Sequence, residues 1–199
     1  MLIGANRDEM IDRVWLAPGR HWPDRPEVVA GLDELAGGSW LGVNDWGVAA
    51  GILNRTGSLG PALGRRSRGE LVLEALDHAE ASAAAEALAD LDPSAYRSFN
   101  LIVADNRDGF WLRHAGQTRI EVRPLKDGLS MITAEELDDP RSRRIELALP
   151  AFRAWPVPDP DRGDFAAWQE LLDSPRAPKG EPATSAMRFR TDGYGTVSS

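Results

Sequence analysis

Four polar residues stand together near the start of the chain, directly after a short apolar run. Asn6, Arg7, Asp8 and Glu9 follow Leu2-Ile3-Gly4-Ala5. They supply an amide, a guanidinium and two carboxylates, a set that can orient a polar substrate and shift the pKa values of its own members. A surface ion-pair cluster at the end of a strand would look the same. Spacing alone gives these two interpretations equal weight.

A tryptophan that follows two glycines is the second candidate. Gly37 and Gly38 precede Ser39 and Trp40. Glycine lets a ligand approach the backbone closely, and the indole of Trp40 could line a pocket. A tight turn with the indole in the core is the alternative, and the usual burial of tryptophan favours it.

A basic segment, Arg65-Arg66-Ser67-Arg68, stands where a helix is predicted to begin. Free backbone amides, the helix dipole and arginine side chains together suit a carboxylate or a phosphate. The glycines upstream lack the spacing and the lysine of a phosphate-binding loop. A solvated basic turn is the alternative, and it is slightly favoured.

Other reactive side chains do not form a recognisable pattern. The chain has no cysteine, which excludes disulfides, thiolate metal sites and a cysteine nucleophile in these 199 residues. His21, His78 and His114 are scattered, so the sequence predicts no metal site. No Gly-x-Ser-x-Gly segment indicates a serine hydrolase.

Composition narrows the function classes further. The formal net charge of -8 opposes a general affinity for nucleic acid phosphates, so we expect no nucleic-acid partner. The sequence shows neither an apolar run of membrane-spanning length nor a secretory signal, and we therefore expect a cytoplasmic protein. A length of 199 residues predicts one domain over residues 1–199.

The order of the predicted elements indicates an α+β fold with mostly antiparallel sheets. Asn44-Asp45-Trp46-Gly47 and Asp105 to Gly109 predict hairpin turns. Ser67 and Glu70 resemble a capping box, and the apolar stripe after them predicts a helix, followed by an alanine-rich one. The remaining predictions are strands at 2–5, 28–31, 119–122, 129–133, 186–191 and 196–199, helices at 140–152 and 164–172, and a loop over 10–26.

Several blocks together resemble the NRDE family, which is named for the tetrapeptide Asn6-Arg7-Asp8-Glu9 and includes the transport and Golgi organisation proteins of animals. A four-letter motif is weakly specific, but five further blocks follow in family order over nearly the whole chain. They are Gly37-Gly38-Ser39-Trp40-Leu41-Gly42, Asn54-Arg55, Ser67-Arg68-Gly69-Glu70-Leu71, Phe99-Asn100-Leu101 and Gly195-Thr196-Val197-Ser198-Ser199.

The resemblance implies a four-layer αββα sandwich like that of the N-terminal nucleophile hydrolases, with helices outside two stacked antiparallel sheets. In such enzymes the first residue after methionine removal is the nucleophile, and its own α-amine, with a pKa of about 8, serves as the base. Asn6, Arg7, Asp8 and Glu9 would then be the catalytic residues beside it.

This chain departs from the family pattern at its start. Family members typically begin Met-Cys, whereas residue 2 here is Leu2. We expect residues 1–199 to be a truncated NRDE-type domain that lacks a strand at one or both termini. An N-terminal cysteine hydrolase of C–N bonds is the alternative function, if the natural protein starts upstream with Met-Cys.

For the chain as given, the resemblance favours a small-molecule binding, transport or trafficking protein without catalysis. The ligand-binding residues are then expected among the family blocks and beside them, with haem as one conceivable cargo and no certain cofactor. These residues are Trp40, Asn54, Arg55, Ser67 and Arg68. The sequence leaves the ligand and the oligomeric state open.

Overall fold

The computed structural model describes all 199 residues, which fall into two compact units. The first unit consists of Met1 and Val14–Asp127, and the second of Leu2–Arg13 and Gly128–Ser199. Each unit has its own sheet and helices. The expectation of one domain over residues 1–199 stays a prediction.

Nine strands and four α-helices make up the fold. The strands are β1 (Arg7–Met10), β2 (Trp15–Gly19), β3 (Val28–Asp33), β4 (Leu41–Asn44), β5 (Ala49–Asn54), β6 (Phe99–Ala104), β7 (Gly109–His114), β8 (Glu121–Pro124) and β9 (Tyr194–Ser198). The helices are α1 (Gly69–Leu76), α2 (Ala81–Ala89), α3 (Arg143–Ala154) and α4 (Ala166–Leu172). None of the helices is long and apolar enough to cross a membrane.

The first unit is built on a seven-stranded antiparallel sheet in which β2 to β8 lie in chain order. Both predicted hairpins are present, β4 with β5 and β6 with β7. Their turns form because Asn44 and Asp105 accept hydrogen bonds from backbone amides of the turn. The second unit holds a two-stranded antiparallel sheet, β1 with β9. These findings confirm the α+β class with antiparallel sheets, while the four-layer sandwich stays a prediction.

Helices α1 and α2 bury their apolar stripes against one face of the seven-stranded sheet. Leu71, Val72 and Leu76 of α1 pack in one cluster with Leu101 and Leu112, and all five are essentially inaccessible. At about 25 cal/mol per Å² of apolar surface, this cluster is the main source of stability of the first unit.

The capping box was predicted wrongly, although the helix was predicted correctly. Arg68 is the N-cap residue of α1 and its side chain makes no capping bond. The hydroxyl of Ser67 accepts from the amide of Gly69 at 3.2 Å instead of from Glu70. Arg68 has helical backbone angles, and its guanidinium bonds to the backbone carbonyls of Ser58 and Ser98. The N-cap position is therefore Arg68 and not Ser67.

The opening strand lies later than predicted. Residues 2–5 have no regular structure, and the strand runs over Arg7–Met10 because those residues pair with β9. Likewise 129–133 and 186–191 are not strands. Met131 exchanges hydrogen bonds with Asp138 within a loop. The amide of Thr191 donates to the carbonyl of Tyr194 and closes a tight turn. Residues 186–191 therefore form only one isolated β-bridge, between Arg190 and Gly195.

Two further boundaries differ from the expectations. The strand predicted at 119–122 is β8, Glu121–Pro124, and the predicted loop over 10–26 contains β2. Both are edge strands of the seven-stranded sheet, and each contains a proline. Proline is tolerated at sheet edges because an edge strand has amides without ladder partners. A proline-rich segment can therefore still be a strand.

Candidate functional site

The tetrapeptide consists of Asn6, directly before β1, and the first three residues of that strand, whose charged side chains alternate between its two faces. Arg7 and Glu9 share one face, where Nη2 of Arg7 lies 3.8 Å from Oε2 of Glu9. Arg7 is buried, with 8% of its surface exposed. Glu9 also accepts a hydrogen bond from the amide of Met10 at 2.8 Å. Asp8 points to the opposite face.

Asp8 is held by two side chains of the second unit. Nη1 of Arg144 donates to Oδ2 of Asp8 at 2.6 Å, and the hydroxyl of Thr196 donates to Oδ1 at 2.8 Å. The guanidinium of Arg144 also lies over the ring of Phe189, with its carbon 5.2 Å from the ring centroid. Charge-assisted bonds of this length on a largely buried carboxylate are strong.

Tyr194 completes this network. Its hydroxyl donates to the carbonyl oxygen of Asp8 at 3.3 Å. Burial raises the pKa of Tyr194, and the negative charges of Asp8 and Glu9 raise it further. The phenol therefore stays protonated and acts as a donor at neutral pH.

Asn6 links the start of the chain to two distant segments of the second unit. Its Nδ2 donates to the carbonyl oxygens of Leu172 at 2.9 Å and Met187 at 2.8 Å. Two carbonyl acceptors define which end of the amide is nitrogen. Oδ1 of Asn6 is buried without a hydrogen-bond partner, as is Nε1 of Trp168.

In the first unit, the candidate residue Arg55 lies in a buried polar cluster. Nη1 of Arg55 donates to Oδ1 of Asn100 at 2.7 Å, and Nε1 of Trp111 donates to the same oxygen at 3.2 Å. All three residues are buried, Asn100 completely. Asn54 precedes Arg55 as the last residue of β5, where it pairs with Phe99 and is half-buried.

Arg68 binds the backbone of the same unit rather than an open surface. Its Nη1 donates to the carbonyl oxygens of Ser58 at 2.6 Å and Ser98 at 3.0 Å. Ser58 is itself buried, and its hydroxyl donates to the carbonyls of Arg55 and Ser98. Arg68 and Ser67 thus stabilise the start of α1.

Arg66, from the same basic segment, is also engaged. It forms ion pairs with Glu70 at 2.6 Å and Glu74 at 3.3 Å, and its guanidinium lies over the ring of Tyr96. Burial raises the pKa of Glu74, and Arg66 opposes that shift. At this helix start Arg66 and Arg68 therefore bind the protein's own carboxylates and carbonyls, whereas Arg65 is exposed.

The six-membered ring of the Trp40 indole packs against the backbone of the seven-stranded sheet at Gly31. A Cβ atom at Gly31 would come within 2.2 Å of the Trp40 ring, so only glycine fits below it. The ring of Trp15 meets Trp40 edge to face, with centroids 5.5 Å apart. Both indoles are half-buried. Together they form an aromatic surface, which we call the Trp15–Trp40 surface.

The histidines do not converge. His114 is buried, with 5% of its surface exposed, and its Nδ1 has no hydrogen-bond partner. Burial lowers the pKa of His114, and the charges of Arg65 and Arg113 lower it further. Ring nitrogen Nε2 of His21 bonds to the carbonyl of Ala17 at 2.8 Å. No group of three or more His, Asp or Glu side chains could hold a metal ion.

The structure thus places the nine candidate residues in two separate compact units. Asn6, Arg7, Asp8 and Glu9 belong to the second unit, and the five ligand-binding candidates belong to the first. The pairing of Asp8 with Arg144 and Thr196 was not predicted, because nothing local marks residues that pair across more than a hundred positions. Asn100 could have been found, because an amide inside the apolar run Phe99 to Ala104 signals a buried polar contact.

Comparisons with known proteins show which family this is. The chain is 36% identical over 110 residues to the Transport and Golgi organization protein 2 homolog of Bos taurus, a match over 53% of this chain. The matched part spans 38% of the length of that relative. A penicillin V acylase from Agrobacterium tumefaciens is a more distant structural match, with a TM-score of 0.37 and 17% identity over 49% of this chain and 32% of its own. So low a TM-score supports no inference about activity.

The chain also matches a protein family. The family described as Transport and Golgi organisation 2 (TANGO2) matches residues 1–159, about four fifths of the chain. That range includes the tetrapeptide and all five ligand-binding candidates. The chain therefore belongs to the TANGO2 family.

Proposed function

We propose that this protein is a carrier that binds an apolar, ring-containing small molecule on the Trp15–Trp40 surface. The observation that carries the proposal is the indole of Trp40 packed closely against Gly31, with its ring and that of Trp15 meeting edge to face. Two large half-buried indoles offer a broad apolar contact with a fixed geometry. Membership of a family named for transport supports a carrier role.

The engagement of the tetrapeptide supports binding without catalysis. Asp8 is neutralised by Arg144, and the amide nitrogen of Asn6 is committed to two carbonyls. Groups fixed in this way stabilise the second unit. A cysteine nucleophile is absent from these 199 residues, and Leu2 carries no nucleophilic atom. In this proposal the tetrapeptide has a structural role.

Haem is a useful first probe, since it combines a flat apolar ring with carboxylates. The proposed binding surface consists of the indoles of Trp15 and Trp40, which are not ligands for its iron. The carrier would therefore contact the porphyrin ring rather than the metal. Metal-free protoporphyrin IX should then bind about as tightly as haemin.

Titration of the full chain with both porphyrins, followed by tryptophan quenching and porphyrin absorbance, tests the proposal. Trp40→Leu should weaken binding about tenfold or more, since it removes a hot-spot indole. Trp46→Leu is the matched control, because Trp46 is an exposed tryptophan within the turn between β4 and β5. It should bind like the parent chain.

Three results would overturn the carrier proposal. They are the absence of saturable porphyrin binding, equal effects of the two tryptophan substitutions, and binding of haemin without binding of protoporphyrin IX. The last result would mean that the iron is ligated by the protein. Release of amine from a simple amide substrate would instead support the hydrolase alternative.

A further inference from the structure

We propose that the loop Leu59–Gly64 is an insertion tip that docks this protein on the surface of an anionic lipid bilayer. The proposal does not depend on the carrier function. It rests on the exposure of the loop, on its composition, on the way it is held and on the charges at its base.

The loop presents apolar side chains to solvent. Leu63 is fully exposed, and more than half of the surface of Leu59 is exposed. Pro61 lies between them and is also exposed. Residues 57–64 contain no charged side chain in a chain of which 27% is charged. A buried role within the first unit does not explain these leucines.

The loop is held in a defined shape although it projects from the unit. Nη1 of Arg97 donates to the carbonyls of Leu59 at 2.6 Å and of Gly60 and Pro61 at 3.3 Å. Nη2 of Arg97 donates to the carbonyl of Gly57 at 2.9 Å. A preorganised tip loses less conformational entropy when it inserts than a flexible one would.

The loop is anchored at both ends. Buried Ser58 fixes the start, and the amide of Arg66 donates to the carbonyl of Ala95 at 2.8 Å just beyond its end. Gly57, Gly60 and Gly64 all have positive φ angles near 75°, which the tight path of the chain requires. The apolar side chains are thus displayed on a rigid support.

Positive charge at the base of the tip favours an anionic surface locally, although the chain as a whole carries a formal net charge of -8. Arg97 bonds to carbonyls, which leave its positive charge in place, and Arg65 is exposed directly after the tip. Hydrogen bonds from Ser94 lower the pKa of Asp92, and the charge of Arg65 lowers it further, so the Asp92 carboxylate offsets part of this positive charge. Lysine or arginine near an anionic bilayer favours binding, and the effect weakens with salt.

The shape of the tip favours a bilayer over a protein partner. A stable protein interface buries about 800 Å² on each side. A convex tip of two leucines, one proline and one alanine falls short of that. A bilayer interface can instead close around a small apolar tip.

The absence of cysteine makes a direct test simple. Leu63→Cys places the only thiol of the chain at the tip, where a polarity-sensitive fluorophore can be attached. Leu35→Cys is the matched control, because Leu35 is also a highly exposed loop leucine of the first unit. With vesicles of phosphatidylcholine and phosphatidylserine, we expect a blue shift of the label at 63 and none at 35.

Vesicle co-sedimentation of the unlabelled full chain supplies the second measurement. The double variant Leu59→Ser and Leu63→Ser should lower partitioning about tenfold, since both leucines would insert. Arg65→Gln should lower it about fivefold and reduce its salt dependence. Leu35→Ser should partition like the parent chain.

The proposal is overturned if the labels at 63 and 35 respond alike. It is also overturned if the double serine variant partitions like the parent chain, or if phosphatidylserine makes no difference. Because all the substituted leucines are exposed, circular dichroism and thermal melting should show folded variants throughout. Failure here would leave the porphyrin result unaffected, so the two proposals are tested separately.

Discussion

Arg144 and Asp8 form a short ion pair at 2.6 Å although 136 positions separate them in sequence. Both side chains are largely buried, with 15% and 18% of their surface exposed. The pair connects α3 to β1, and Thr196 connects the same carboxylate to β9. One carboxylate of the tetrapeptide therefore helps to hold together three elements of the second unit.

Replacement of this carboxylate should destabilise the second unit. Asp8→Asn removes the charge that faces Arg144 and leaves a buried guanidinium without its counter-ion, at a cost of about 2 kcal/mol. Chemical denaturation with a probe of the second unit measures the change. Asp173→Asn is the control, since its ion pair with Arg188 is well exposed and should contribute little. Equal effects of the two substitutions would contradict the structural role of Asp8.

His114 should make stability depend on pH. Burial lowers its pKa in the folded state below its ordinary value of 6.5. The contribution of neutral His114 to the free energy of unfolding is complete above pH 6.5. As the pH falls, the unfolded chain gains a proton that folded His114 resists, so stability declines from 6.5 towards the lower folded pKa.

The variant His114→Gln isolates this effect, because the carboxylates that titrate in the parent chain are unchanged. Denaturation at about pH 7 and about pH 5 should show a smaller loss of stability for the variant than for the parent. An identical loss in both proteins would show that other groups account for the pH dependence.

Gly38 should tolerate no side chain. A Cβ atom there would lie 2.5 Å from the carbonyl carbon of Gly69, at the start of α1. Because the backbone at Gly69 cannot move without disturbing the start of α1, Gly38→Ala should lower the free energy of unfolding by about 2 kcal/mol or more. Gly51→Ala is the milder control, since its Cβ would lie 3.1 Å from the flexible end of Leu41. Thermal melting compares the two alanine variants. A larger drop in melting temperature for Gly51→Ala than for Gly38→Ala would contradict this packing.

Arg97 should determine the rigidity of the loop Leu59–Gly64. Arg97→Ala removes four bonds to loop carbonyls, so hydrogen exchange and proteolytic cleavage within residues 57–64 should accelerate while the global melting temperature changes little. Arg97→Lys should be intermediate, because one ammonium group cannot span the carbonyls of Gly57 and Leu59. Arg153→Ala, an exposed arginine at the end of α3, should leave the loop unchanged.

Local chemistry made much of the first unit predictable. The turns after Asn44 and Asp105 are encoded within four residues, and the apolar run Phe99 to Ala104 and the apolar stripe of α1 need no distant partner to be recognised. The order of short strands and helices likewise predicted an α+β fold. The family was predictable because its blocks appear in order in the chain.

The sequence by itself therefore determined the hairpins, the helices and the family. Tertiary structure decided what the site residues do. Residues 129–133 and 186–191 have strand-like composition yet form turns and loops, and β1 lies where β9 pairs with it. The engagement of Asp8 by Arg144 and of Arg55 by Asn100 joins segments that are far apart in sequence. Local propensity carries no information on such pairs, because their free energy is gained only when the whole chain brings them together.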